Sequence, residues 1–241
     1  MNPAALLLLL ALGGLAALYS ERLASGLSRW VSLAVCALGL LYLLLSTGAT
    51  GSAPGAWLAY SKTPWLPRLG IAFELAVDGL SLLMLALTLL LGLVAVIASW
   101  DEIDFRQGFF QANLLWTLTG VCGVFMALDL VLFFLFWEVM LVPMYLLIAI
   151  WGHEDRSRAA MKFFIFTQAS GLLLLVAIVT LGILHSAGDA LSFSYLDLLD
   201  TPLGPRTAYL LMLGFFLAFS VKLPAFPFHT WLPDAHTQAP T

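Results

Sequence analysis

The sequence has little charge. Only 10% of its 241 residues are Asp, Glu, Lys or Arg, against about 25% in soluble globular domains. So few charges cannot cover a water-facing surface, which excludes a freely soluble domain. Cysteine is nearly absent. Cys36 and Cys122 lie far apart inside apolar runs with no CxxC companion, so they read as small core hydrophobes, not as disulfide or metal ligands. Haem motifs, G-x-G-x-x-G and Walker loops are missing, as are G-x-S-x-G and H-E-x-x-H. Redox, nucleotide and hydrolytic chemistry are therefore not expected in this chain, which should hold no cofactor or metal and bind no nucleic acid. The first apolar stretch has no basic n-region and no convincing small-residue cleavage site, so it is expected to stay as a membrane span.

What is present is apolar. Hydrophobic residues make up 62% of the chain, and mean hydropathy is +1.00. Lipid forces backbone groups to pair within each segment, so the expected fold class is an all-α polytopic membrane protein. A span needs roughly 20 apolar residues. Seven candidates occur, at 3–19, 30–46, 77–99, 111–128, 130–151, 163–184 and 208–228, numbered here as spans 1 to 7. The expected organisation is residues 1–110 as three N-terminal spans and residues 111–241 as spans 4–7. Spans 4 and 5 are joined by a tight turn at Asp129. The connection 46–76 carries Pro54, Pro64 and Pro67 and reads as an ordered external loop. The connection 185–207 suggests a short interfacial helix ended by Pro202.

Basic residues set orientation. Arg22, Arg29, Arg106, Arg156, Arg158 and Lys162 fall on one side, and Lys62, Arg68 and Arg206 on the other. The first side is expected to be cytoplasmic, with the N-terminus outside. The tenth basic residue, Lys222, lies inside span 7, followed by Pro224 and Pro227, which should break the helix. A broken helix is tolerated at membrane depth only in protein or beside a wet cavity.

Span 5, "LVLFFLFWEVMLVPMYLLIAIW", has one charge, Glu138. Spans 5 and 7 run in the same direction. At a helical rise of about 1.5 Å, Glu138 lies ~12 Å past Leu130 and Lys222 ~21 Å past Ala208. Both fall in the middle third of a bilayer, where an isolated acid or amine is costly and usually functional. A carboxylate that approaches the lysine holds it protonated, and withdrawal releases the proton. Lys162, at the start of span 6, is expected to snorkel, with a supporting charge as the alternative. Thr167, Gln168 and Ser170 should bond between helices. His229 and His236, after the break, are candidate proton shuttles. Asp129 reads as a turn residue, and Trp100, Trp151 and Trp231 as interface anchors.

Three segments carry a resemblance: "FWEVMLVPMYLLIAIWGHED", "KFFIFTQASGLLLL" and "LLMLGFFLAFSVKLPAFPFHTWLPDAHTQAPT". From about Phe109 onward the chain resembles the M-type antiporter-like subunits of bacterial respiratory complex I, NADH:quinone oxidoreductase, the family equivalent to mitochondrial subunit 4. "WEVMLVPMYLLI" separates it from the L-type and N-type sister subunits. The resemblance implies an inverted-repeat bundle, with Glu138 and Lys222 as the pair that switches during proton transfer. It matches Lys162 to a basic position heading span 6, and Pro224 and Pro227 to a discontinuous span 7. It implies a proton-translocating subunit in the bacterial inner membrane, driven by redox chemistry elsewhere, with L-type and N-type subunits and the lipid bilayer as partners. The chain stops where the family's span 8 would begin, so it is expected to be the N-terminal part of such a subunit. The alternatives are an Mrp-type cation/proton antiporter, a hydrogenase-linked relative, or a purely structural bundle.

Overall fold

The computed structural model describes residues 2–47, 57–188 and 190–240; Pro54 lies outside them. The architecture is a helical bundle with one hairpin. In chain order it contains α1 (Pro3–Ser20), α2 (Leu27–Thr47), β1 (Ala59–Leu66), β2 (Ile71–Val77), α3 (Gly79–Ala98), α4 (Gln107–Met126), α5 (Leu130–Val139) and α6 (Leu141–Trp151). There follow α7 (Arg156–His185), α8 (Tyr195–Leu198), α9 (Pro205–Lys222) and α10 (Trp231–Gln238).

Helix starts follow side-chain chemistry. Asn2 accepts from Ala4 N–H ahead of Pro3, and Asp78 accepts from Ser81 N–H. Asp129, fully buried, accepts from Val131 and Leu132 at 2.9 and 3.0 Å. Such caps satisfy donors that have no partner within the helix.

Six helical runs among the described residues are long and apolar enough to cross a membrane: α1, α2, α3, α4, α5 with α6, and α7. The expected seventh, α9, is 18 residues long, but Pro205, Arg206 and Lys222 fall within it and lower its hydropathy. α1 packs along α4, with α2 against α1 and α3, while α7 packs against α6, α9 and α10. Cys36 and Cys122 are buried and free, in a core with Leu6, Leu10, Leu89 and Leu115. The outward faces carry Leu80, Leu83, Val176 and Phe216, all exposed, as a lipid-facing surface requires.

The hairpin is an addition to the all-helical expectation. β1 and β2 pair antiparallel with Lys62 directly opposite Glu74. The turn runs through Pro67–Leu69 to Gly70 at φ 66°, a left-handed conformation that glycine adopts without a Cβ clash. Glu74 is fully buried, with Lys62 Nζ at 3.2 Å and Tyr60 donating its hydroxyl at 2.7 Å. Desolvation, followed by that hydrogen bond, pushes the Tyr60 phenol up to about 12.

Backbone bonds extend the hairpin into a wider platform. Leu75 bridges Ala127 and Asp129 bridges Ser194. Asp129 also accepts from Ala72 N–H at 3.0 Å, so the turn residue ties three segments together. This end of the bundle gathers β1, β2, the α4–α5 turn and residues 192–195. The opposite end gathers the other connections. Gly108 N–H donates to Glu21, Arg29 to Ile103 O, Trp151 to Phe105 O, and His153 N–H to Gln238 O. The loops grouped by basic residue count therefore meet at common ends of the molecule.

Candidate functional site

Glu138 and Lys222 each sit beside an interruption in their helix. Span 5 is divided at Met140, between α5 and α6. Pro143 has no N–H for the Val139 carbonyl four residues earlier, so the helical ladder loses a bond one residue after Glu138. α9 ends at Lys222 itself. In an unbroken helix the Val221 carbonyl would receive Ala225 N–H; instead Ala225 N–H turns to Ser220 O. Val221 O accepts the Trp231 indole N–H at 2.9 Å. The chain thus reverses after the break and ties its own loose carbonyl. The peptide Phe226–Pro227 is cis.

This return corrects the expectation for Trp231. It is buried, packed on Phe163 at 5.4 Å between ring centroids, and is no interface anchor, because the break folds it back into the bundle.

Around the two charges, the elements meet closely. Gly171 on α7 faces Glu138: a Cβ there would overlap Glu138 Oε1, so only glycine lets the carboxyl lie against that helix. Gln168 lies on the same helix, three residues before Gly171. No ion pair within 4.0 Å joins Glu138 to Lys222 among the described residues. Glu138 Oε1 and Lys222 Nζ are both buried atoms without a hydrogen-bond partner there. Lys222 Nζ instead lies over the Trp137 ring, 5.1 Å from its centroid. Trp137 is the residue next to Glu138, so the two charges lie in one layer without an ion pair between them.

The other candidates lie elsewhere. Lys162 does not reach the helix end alone: its partly exposed Nζ bonds Asp234 on α10 at 2.7 Å. That ammonium holds the Asp234 carboxyl below the usual carboxylate range. Thr167 and Ser170 do not bond between helices either; they donate to carbonyls of their own helix, Phe163 and Thr167. His229 is exposed and stacks on Phe226 at 5.8 Å. His236 is exposed and lines a cavity of about 410 Å³ beside Phe110, Phe163, Trp231 and Ala235. Neither histidine is brought to Glu138 or Lys222 by a contact within the described residues.

Sequence reading missed Trp137, Gly171 and Asp234. Trp137 and Gly171 look like ordinary membrane residues, and the partner of Lys162 emerges only once α10 has turned back.

Several known proteins are similar to this chain. A family model described as NADH:quinone oxidoreductase/Mrp antiporter, transmembrane, matches residues 127–241. NADH-quinone oxidoreductase subunit M of Escherichia coli K12 is 50% identical over 248 residues, covering 98% of this chain and 49% of the relative. The same subunit of Pseudomonas aeruginosa is 53% identical over 251 residues, with the same coverage. The chain spans about half the length of these relatives. Among solved structures, respiratory complex I from Thermus thermophilus with bound NADH aligns at TM-score 0.82 and 31% identity, over 98% of this chain and 47% of that one. The Mrp complex from Dietzia aligns at TM-score 0.83 but 21% identity, over 98% of this chain and 25% of that one, a likeness of fold alone.

Proposed function

We propose that this chain, similar to NADH-quinone oxidoreductase subunit M sequences and matched over residues 127–241 by the NADH:quinone oxidoreductase/Mrp antiporter transmembrane family, belongs to that family and forms part of a proton-translocating membrane subunit of NADH:quinone oxidoreductase. The observation that carries the reading is the pair of deep, opposite charges at two helix interruptions, in one layer but not ion-paired. A permanently closed pair would store charge without moving it. A pair with a separated and a closed arrangement can convert movement into proton release.

Each step uses groups of this chain. With the Glu138 carboxylate close, the Lys222 ammonium keeps its proton. When the carboxylate withdraws toward Gly171 of α7, the ammonium is left among aromatic and apolar side chains without its counter-ion and gives its proton onward. The breaks at Met140 and Pro224 loosen both segments enough for such movement. Lys162 and Asp234 fix α10 to α7, anchoring the chain beyond the break. His229 and His236 are exposed on that same side, where they serve as shuttles between water and the α9 break. The chain itself binds no cofactor; the driving redox step belongs to other subunits of a complex in the bacterial inner membrane, with L-type and N-type subunits as neighbours.

An Mrp-type antiporter is the second reading, favoured by fold likeness; half-identity to subunit M sequences favours the first. The experiment is purification of the full-length subunit from its native membrane. The first reading predicts recovery with NADH dehydrogenase activity, and recovery with a cation/proton antiporter assembly lacking that activity contradicts it.

A further inference from the structure

We propose that Trp137 is a positioning residue for Lys222, its indole face seating the lysine ammonium between the withdrawal of Glu138 and the departure of the proton. This rests on the reading of Lys222 as a proton carrier. The observations are geometric. Lys222 Nζ lies 5.1 Å from the ring centroid of Trp137 and has no hydrogen-bond partner among the described residues. The ring is itself fixed. It is 7% exposed, with Phe133 at 5.8 Å and Phe219 at 5.7 Å, and Phe219 is stacked in turn on Phe215 at 6.3 Å.

The chemistry of that seat suits an intermittent partner. An aromatic face attracts a cation but has no such attraction for a neutral amine, so it holds the lysine only while it is charged. The attraction is weaker than that of a buried carboxylate, so it does not trap the lysine when Glu138 returns. Trp137 and Glu138 are consecutive on α5, about 100° apart around the helix. A modest rotation of α5 exchanges one seat for the other. The interruption at Met140, with Pro143 beyond it, frees α5 to turn without carrying α6.

The test uses the full-length subunit in its assembled membrane complex, in sealed vesicles. Tryptophans carrying one to four fluorines are placed at position 137 alone. Fluorine drains negative potential from the ring face with little change of shape, so packing survives while the cation–π attraction fades. The expected result is proton pumping that falls with every fluorine, roughly tenfold across the series, the weight of a desolvated cation–π contact. The amount of assembled complex should stay constant. Pumping that is unchanged across the series, or reduced equally whatever the fluorine number, overturns the positioning role. If Lys222→Ala abolishes pumping in the same vesicles, the carrier reading survives that failure; if Lys222→Ala pumps at the wild-type rate, both fall.

Discussion

At the scale of single residues, the approach of Glu138 to α7 depends on one missing methyl group. Gly171→Ala would place a Cβ on Glu138 Oε1, so either the carboxyl swings away or α7 shifts. Overpacking of this kind costs about 1–3 kcal/mol. The expected outcome is a lower thermal midpoint and reduced pumping, with the midpoint restored in a Gly171→Ala, Glu138→Ala double variant, because the colliding oxygen is gone. A midpoint equal to wild type in Gly171→Ala contradicts the contact. Asp234 gives a pH expectation. Its carboxyl is held below the ordinary range by Lys162, so its contribution is present above the unfolded value and lost as pH falls through the lower folded one. Hydrogen exchange of residues 231–238 should therefore show no pH-dependent opening of α10 between about pH 5 and 8, once intrinsic exchange is corrected for. Glu138 and Lys222 were legible because a charge inside hydrocarbon has no ordinary surroundings. Gly171 and Trp137 were not, since a membrane helix holds both residue types for many other reasons.

At the scale of elements, the breaks follow from proline chemistry and the hairpin from pairing. Replacing Pro224 and Pro227 together by Ala restores two backbone donors, and Val221 O regains a helical partner in Ala225. The expected protein inserts and assembles but pumps poorly, because α9 continues past Lys222 and Trp231 loses its acceptor. Normal pumping in sealed vesicles would make the prolines packing features only. In the hairpin, Lys62→Ala leaves the buried Glu74 with Tyr60 alone. Because Lys62 is itself 41% exposed, the expected loss is discounted to about 1–2 kcal/mol. It should be read as faster proteolysis within residues 59–77, with Glu74→Gln largely reversing the effect. Helix positions were readable since long apolar runs have few alternatives in lipid. The hairpin was not, because Pro64 and a bulge near Leu66 interrupt the two-residue alternation that marks a strand. The division of span 5 at Met140 was hidden for a similar reason: Pro143 lies inside an otherwise continuous apolar run.

At the scale of the whole molecule, the loops rich in basic residues gather at one end and the hairpin platform at the other. The count of those residues predicts that the first end is cytoplasmic. Single cysteines at Ser157 and Ser61 test it with an impermeant thiol reagent: Ser157→Cys should label from the cytoplasmic side and Ser61→Cys from outside, and labelling of Ser61→Cys only from the cytoplasm would reverse the orientation. The alternation of spans was legible without coordinates; what closes each end was not, since the Leu75–Ala127 and Asp129–Ser194 bridges join segments remote in sequence. The central claim is that Glu138 acts on Lys222 by its charge, in a pair that opens and closes. The most direct measurement is proton pumping by sealed vesicles carrying the full-length subunit with Glu138→Gln, which keeps the shape and removes the charge. Abolished pumping with assembly intact, partial activity in Glu138→Asp, and no further loss on adding Lys222→Ala are predicted. Pumping by Glu138→Gln at the wild-type rate would contradict the account.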